Sequence, residues 1–121
     1  MNTDAGMTPT PLPTSSVRPL AFAGGTAIGM SHKWRGGQYC SILTPVGIVG
    51  CGIYDLQTSA EFGHPIAIAK GTPACPLTEP EDLLEARIVG CTPRAAAMGI
   101  QPGLSGREAV EAMLRAANAA D

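Results

Sequence analysis

The sequence predicts an α+β domain, and two changes of pattern along its 121 residues carry that reading. Residues 17–53 hold short apolar or β-branched runs broken by glycine, "VRPLAFA", "TAIGM", "YCSIL" and "GIVGCGI", which is the pattern of antiparallel strands. Beyond residue 54 the strand-like runs "IAIA" and "ARIVGC" alternate with segments that open on helix-capping residues. An N-terminal antiparallel β-region followed by a small α/β unit with a C-terminal helix is therefore expected.

The elements follow in chain order. Residues 1–16, "MNTDAGMTPTPLPTSS", are rich in Pro, Thr and Ser and read as a tail outside a single domain spanning 17–121. Pro45, in the turn between "YCSIL" and "GIVGCGI", cannot take the positive φ that opens a two-residue hairpin loop of the primed types. A type I turn with a bulge at Gly47 is expected instead, pairing Thr44 with Ile48 and Cys40 with Gly52. That register places Cys40, Ile42 and Ile48 on one face, with Leu43, Val49, Cys51 and Ile53 on the other, and argues against a disulfide between Cys40 and Cys51. Both faces are largely apolar, so each needs a cover.

In the second half, Asp55 is placed to cap a helical turn running to Phe62, and Gly63-His64-Pro65 breaks the chain before "IAIA". Thr78-Glu79-Pro80-Glu81 reads as a capping box before "EDLLE". Thr92 followed by Pro93 opens "PRAAAM", which ends at Gly99. Ser105-Gly106-Arg107-Glu108 is a second capping box, opening a helix with Ala109, Val110, Met113, Leu114 and Ala117 on one face.

Composition narrows the function. With 8 Lys+Arg against 10 Asp+Glu the net charge is -2, which gives no electrostatic footprint for nucleic acid or an anionic membrane surface. Only 15% of residues are charged while 45% are hydrophobic, a balance that surface buried between subunits would explain. No apolar run reaches the length of a membrane span, and "MNTDAGMTPT" has no signal-peptide pattern, so a cytoplasmic protein without membrane or nucleic-acid partners is expected. Cys40, Cys51, Cys75 and Cys91 form no C-x-x-C pair, and free thiols are their default state.

The segments "GIQPGLSGREAVEAML", "GIVGCGIYDL" and "EDLLEARIVGCTPRAAAMGI" resemble the YunC-like family, catalogued as domain of unknown function 1805. The resemblance spans about residues 24 to 115, and its marks are G-x-S-G-R-E and the Cys-Gly closing the hairpin. It implies a homotetramer formed through the N-terminal β-region, and it implies no activity. Among the thiols it singles out Cys51.

Three candidate sites follow, each beside a plainer explanation. Cys51, between Gly50 and Gly52, reads as a nucleophile or a metal ligand, or as a small residue packed at a strand end. His64 reads as its general base, or as a turn histidine in solvent. Ser105, Gly106 and Arg107 would gather amides and a guanidinium around a small anion, or simply cap a helix, with Arg107 paired to Glu111. His32-Lys33-Trp34-Arg35 is a basic aromatic cluster that reads as a hairpin loop or a subunit contact.

Three functions stay open at this level. The first is a homotetramer that binds a small ligand or a metal in a pocket at the subunit junction near Cys51, a metal being held by Cys51 from more than one subunit. The second is a small thiol-dependent enzyme with Cys51 as nucleophile and His64 as base. The third is a scaffold without a ligand.

Overall fold

The computed structural model describes residues 11–120. Its centre is a six-stranded sheet whose spatial order follows the chain: β1 (Thr14–Phe22), β2 (Gly25–Trp34), β3 (Gly37–Leu43), β4 (Ile48–Gly50), β5 (Ile66–Lys70) and β6 (Arg87–Cys91). Every neighbouring pair is antiparallel except β4 and β5, which run parallel. A parallel pair needs a crossover, and α1 (Leu56–Glu61) lies within it. The remaining helices are α2 (Pro80–Glu85), α3 (Pro93–Ala96) and α4 (Gly106–Ala120). The α+β expectation, with its N-terminal antiparallel region and C-terminal helix, agrees with this architecture.

Local chemistry explains most boundaries. Asp55 caps α1 by accepting from the Gln57 amide, and Thr92 caps α3 by accepting from the Ala95 amide. Ser105 and Glu108 form the expected reciprocal box at the start of α4, at 2.9 and 3.1 Å. At α2 the box lies one residue later than Thr78 would put it: Glu79 is the cap, and Asp82 accepts from the Glu79 and Thr78 amides. Strand β1 begins at Thr14, inside the segment read as tail, because Thr14, Ser15 and Ser16 pair with Lys33, His32 and Ser31. Residues 1–10 of that tail lie outside the described residues. The basic aromatic cluster is mostly strand, with His32, Lys33 and Trp34 in β2 and a tight turn at Arg35-Gly36, where Gly36 has φ 91°.

The β3–β4 register differs from the expected one. Leu43 pairs with Ile48 and Ser41 with Gly50, so no bulge intervenes. Thr44 makes the tighter turn possible without a positive φ at Pro45 or Val46. Its amide donates to the Gly47 carbonyl at 2.8 Å, and its hydroxyl oxygen accepts from the Gly47 amide at 3.0 Å, taking the role a backbone carbonyl would otherwise play. Gly47 is required for space here, since a Cβ would sit 2.4 Å from the Pro65 carbonyl oxygen.

The corrected register sorts the two faces. One carries Ala27, Cys40, Ile42, Val49, Ala67 and Ala69, all buried with Leu83 of α2 and Ala109, Val110, Met113 and Leu114 of α4. The other carries Val17, Met30, Ser41, Leu43, Gly50, Ile68 and Gly90. Over its β4–β6 half, Tyr54 lies on Gly50 and Leu56 on Gly90. Its β1–β3 half is open, leaving Val17 64% and Leu43 40% exposed.

Helix α4 docks where α2 passes its start. A Cβ on Gly106 would stand 1.8 Å from the Leu83 carbonyl oxygen, and the Gly106 amide donates to Ala86. Replacement of Gly106 by Ala is expected to push the two helices apart and cost about 1–3 kcal/mol in denaturant unfolding. Gly52→Ala, where a Cβ meets nothing within 4 Å, should change stability by less than about 0.5 kcal/mol. Equal stabilities for the two variants would contradict this account of the helix contact.

Candidate functional site

The site grows from the strand pair. With Ser41 opposite Gly50, the next residues along the ladder are Cys40 and Cys51, and the Cys51 amide donates to the Cys40 carbonyl at 3.2 Å. The expected pairing of Cys40 with Gly52 is thus replaced by a direct cross-strand pairing of two cysteines. Both side chains point to the helix-covered face, where Cys40 is fully buried and Cys51 is half-buried against the core. All four cysteines are free thiols.

This pairing divides the acidity of the two thiols. The neighbouring Cys40 thiol is the main cause that lowers the Cys51 pKa to about 5, with the Ile53 amide assisting and burial opposing. Cys40 moves the other way: the neighbouring Cys51 sulfur, burial, and the carboxylates of Asp82 and Glu79 all push its thiol up. The two shifts run in opposite directions, so Cys51 is the more acidic sulfur of the pair.

A cleft of about 420 Å³ lies nearby, lined among others by Gly52, Ala69, Lys70, Thr72, Pro76 and Leu77. Gly52 follows Cys51 in sequence, and Ala69 lies level with it on β5, given that Gly50 pairs with Ile68. Lys70 supplies a cation to an otherwise apolar wall.

The other candidate residues lie elsewhere. Because Ala69 is level with Cys51, His64 sits five residues, or about 17 Å, back along the β5 direction. It is exposed, with its ring 6.1 Å from that of Phe62. Within one chain the parallel β4–β5 register sets the two residues apart along the strand direction. Around the Ser105–Arg107 motif three amides are engaged, Ser105 with the Glu108 carboxylate, Glu108 with the Ser105 hydroxyl and Gly106 with the Ala86 carbonyl. The Arg107 guanidinium stands 6.0 Å from the Phe22 ring centroid. Capping and packing account for the contacts at this motif.

For a metal, Cys51 and Cys40 offer two sulfur donors, and among the described residues no group of three or more His, Cys, Asp or Glu side chains is gathered. Cys51 also points away from the open apolar face, so joining subunits through that face would not bring copies of Cys51 together. Sequence reasoning disfavoured the tighter loop that pairs Cys40 with Cys51, and the turn at Thr44 adopts it. The signal was Thr44 itself, a residue able to close a short loop with its own hydroxyl. Cys75 is exposed, whereas Cys91 is half-buried, donates to the Ile100 carbonyl at 3.6 Å and has its pKa raised by burial.

Alkylation in a Cys75→Ser background reads the site directly. Below pH about 5 the Cys51 sulfur is protonated and slow; as pH rises through that value its rate should climb and then level off, well before the ordinary thiol range near 8.5. Cys40→Ala removes the neighbouring thiol and should move the inflection up by about one pH unit or more. An unchanged inflection in that variant would remove Cys40 from the account.

Comparisons with known proteins agree with this architecture. A crystal structure of a protein of unknown function, TA1206 from Thermoplasma acidophilum, superposes with a TM-score of 0.70 at 19% identity, covering 91% of this chain and 97% of that one. At that identity the likeness speaks to the fold. No curated protein matches. The family model described as "Domain of unknown function (DUF1805)" matches residues 50–113, a span that takes in Cys51, His64 and the Ser105–Arg107 motif and leaves out Cys40. With that match over more than half of its length, the chain belongs to the DUF1805 family.

Proposed function

We propose that this protein acts through the Cys51 thiolate, as a nucleophile toward a small electrophilic ligand held in the adjoining cleft. The observation that carries the reading is the position of Cys51 opposite the buried Cys40 thiol, which favours its thiolate, and directly before Gly52 of the cleft wall. A thiolate needs a favouring neighbour to persist near neutral pH, and here that neighbour is another thiol rather than a histidine. Lys70 in the cleft wall favours an anionic ligand, moving the proposed anion contact from Ser105–Arg107 to the neighbourhood of Cys51.

Paired reagents test this. Iodoacetate and iodoacetamide differ in charge and little in size, so Lys70→Glu should slow labelling of Cys51 by iodoacetate several-fold relative to iodoacetamide. Loss of Cys51 should abolish the fast phase with both. Equal slowing of both reagents would place Lys70 outside the ligand's path, and a Cys51 that reacts only in the ordinary thiol range would end the reading.

A second reading concerns assembly, and the open half of the sheet favours it. Val17, Leu43 and Trp34 leave an apolar face uncovered, with Trp34 47% exposed. We infer that a second copy of the chain covers this face, consistent with the low charged fraction and with the tetramer that the family resemblance implies. Sedimentation equilibrium should show an assembled species, and Val17→Lys together with Leu43→Lys should yield a smaller one. A monomeric parent protein at micromolar concentration would overturn this.

A further inference from the structure

We propose that Cys40 and Cys51 form a two-electron dithiol–disulfide couple that exchanges with low-molecular-weight disulfides entering the cleft beside Cys51. The proposal rests on the nucleophilic Cys51 reading and adds to it a second reactive residue, a reaction and a substrate class. Its ground is geometric. In an antiparallel ladder the residues of a directly opposed, hydrogen-bonded pair have Cα atoms about 5.5 Å apart, within the span a disulfide bridges. The alternation of hydrogen bonds fixes the type of pair: Thr44 and Gly47 are bonded, and so, four residues further from the turn, are Cys40 and Cys51.

Burial gives the two sulfurs unequal roles. Cys51 is half-buried and directly precedes Gly52 of the cleft wall, whereas Cys40 lies fully inside the core. In the first step the Cys51 thiolate attacks one sulfur of a disulfide R–S–S–R. The S–S bond of the substrate breaks, a Cys51–S–S–R bond forms, and one thiolate R–S⁻ departs into the cleft and takes up a proton. In the second step Cys40 gives up its proton to solvent or to the departing thiol, and its sulfur attacks the Cys51 sulfur.

The second R–S⁻ leaves, and Cys40 and Cys51 are joined. Two electrons have passed from the protein to the substrate, which ends as two thiols; of the two protons they take up, one is matched by the proton Cys40 releases and the other comes from solvent. Lys70 in the cleft wall suits a disulfide carrying carboxylates.

Oxidised glutathione is the probe, applied to the full reduced chain in the Cys75→Ser background and followed by intact mass and peptide mapping. The parent should lose two hydrogens, retain no glutathione and yield a Cys40–Cys51 cross-linked peptide. Cys40→Ser should instead retain one glutathione on Cys51, and Cys40→Ala, the alternative if the serine variant fails to fold, should do the same. If the parent retains glutathione to the same extent as these variants, Cys40 does not resolve the mixed disulfide and the proposal falls while Cys51 remains a nucleophile. The proposal falls in the same way if Cys51 alkylates at low pH yet ignores oxidised glutathione. If Cys51 neither alkylates at low pH nor takes up glutathione, the underlying reading fails with it.

Discussion

The turn closed by Thr44 is the constraint on which the rest depends. A sheet side chain changes face with every one-residue slip, so the register of β3 against β4 decides what the core contains and what stands at its edge. Thr44 sets that register by using its hydroxyl in place of a carbonyl, and Gly47 allows the turn to press against the Pro65 carbonyl at the entrance to β5. From this follow the burial of Ile42 with Val49, the pairing of Cys40 with Cys51, and the parallel alignment of Gly50 with Ile68. Met113 of α4 reaches the same turn, its sulfur 3.6 Å from the Thr44 hydroxyl, so the C-terminal helix and the hairpin are joined at one point.

Around that point the two faces of the sheet are finished by different means. Helices α2 and α4 close one face with aliphatic side chains, and Gly106 permits their near contact. Arg18 ties β1 to Glu79 and Glu81 of α2, and Lys33 ties β2 to Glu79, all on partly exposed side chains where ion pairs add little to stability and more to orientation. The other face is filled only beside β4–β6, where Gly50 and Gly90 make room for Tyr54 and Leu56. Buried Ser41, whose hydroxyl has no hydrogen-bond partner among the described residues, lies next to the boundary between the filled and open halves.

Signals local to a few residues were legible in the sequence. The boxes at Ser105–Glu108 and near Glu79, the caps at Asp55 and Thr92, and the strands "IAIA" and "ARIVGC" all depend on neighbours within about four residues. The register was not legible, because it turned on whether Gly47 would twist to positive φ or Thr44 would lend its hydroxyl, two solutions of similar local quality. Cys51 was recognised through its setting between glycines; Cys40 needed the register. The surroundings of His64 and of the Ser105–Arg107 motif were not legible for a related reason, since chain proximity says nothing of which end of a parallel pair a residue occupies, nor of whether an amide already has a partner.

The parallel pairing of β4 with β5 has a consequence of its own. Open sheets built from many parallel strands place their ligands in crevices beyond the carboxyl ends of those strands. This chain contains a single such pair among its described residues, and Cys51 and Lys70 stand at the two carboxyl ends, with the cleft beyond them. Beside the strand residues Ala69, Lys70 and Val89, the cleft is shaped by Gly52 and by residues within 71–77, which belong to connections. They are free to be exchanged without shifting a strand, so the chemistry offered at this end of the sheet is separable from the fold that presents it.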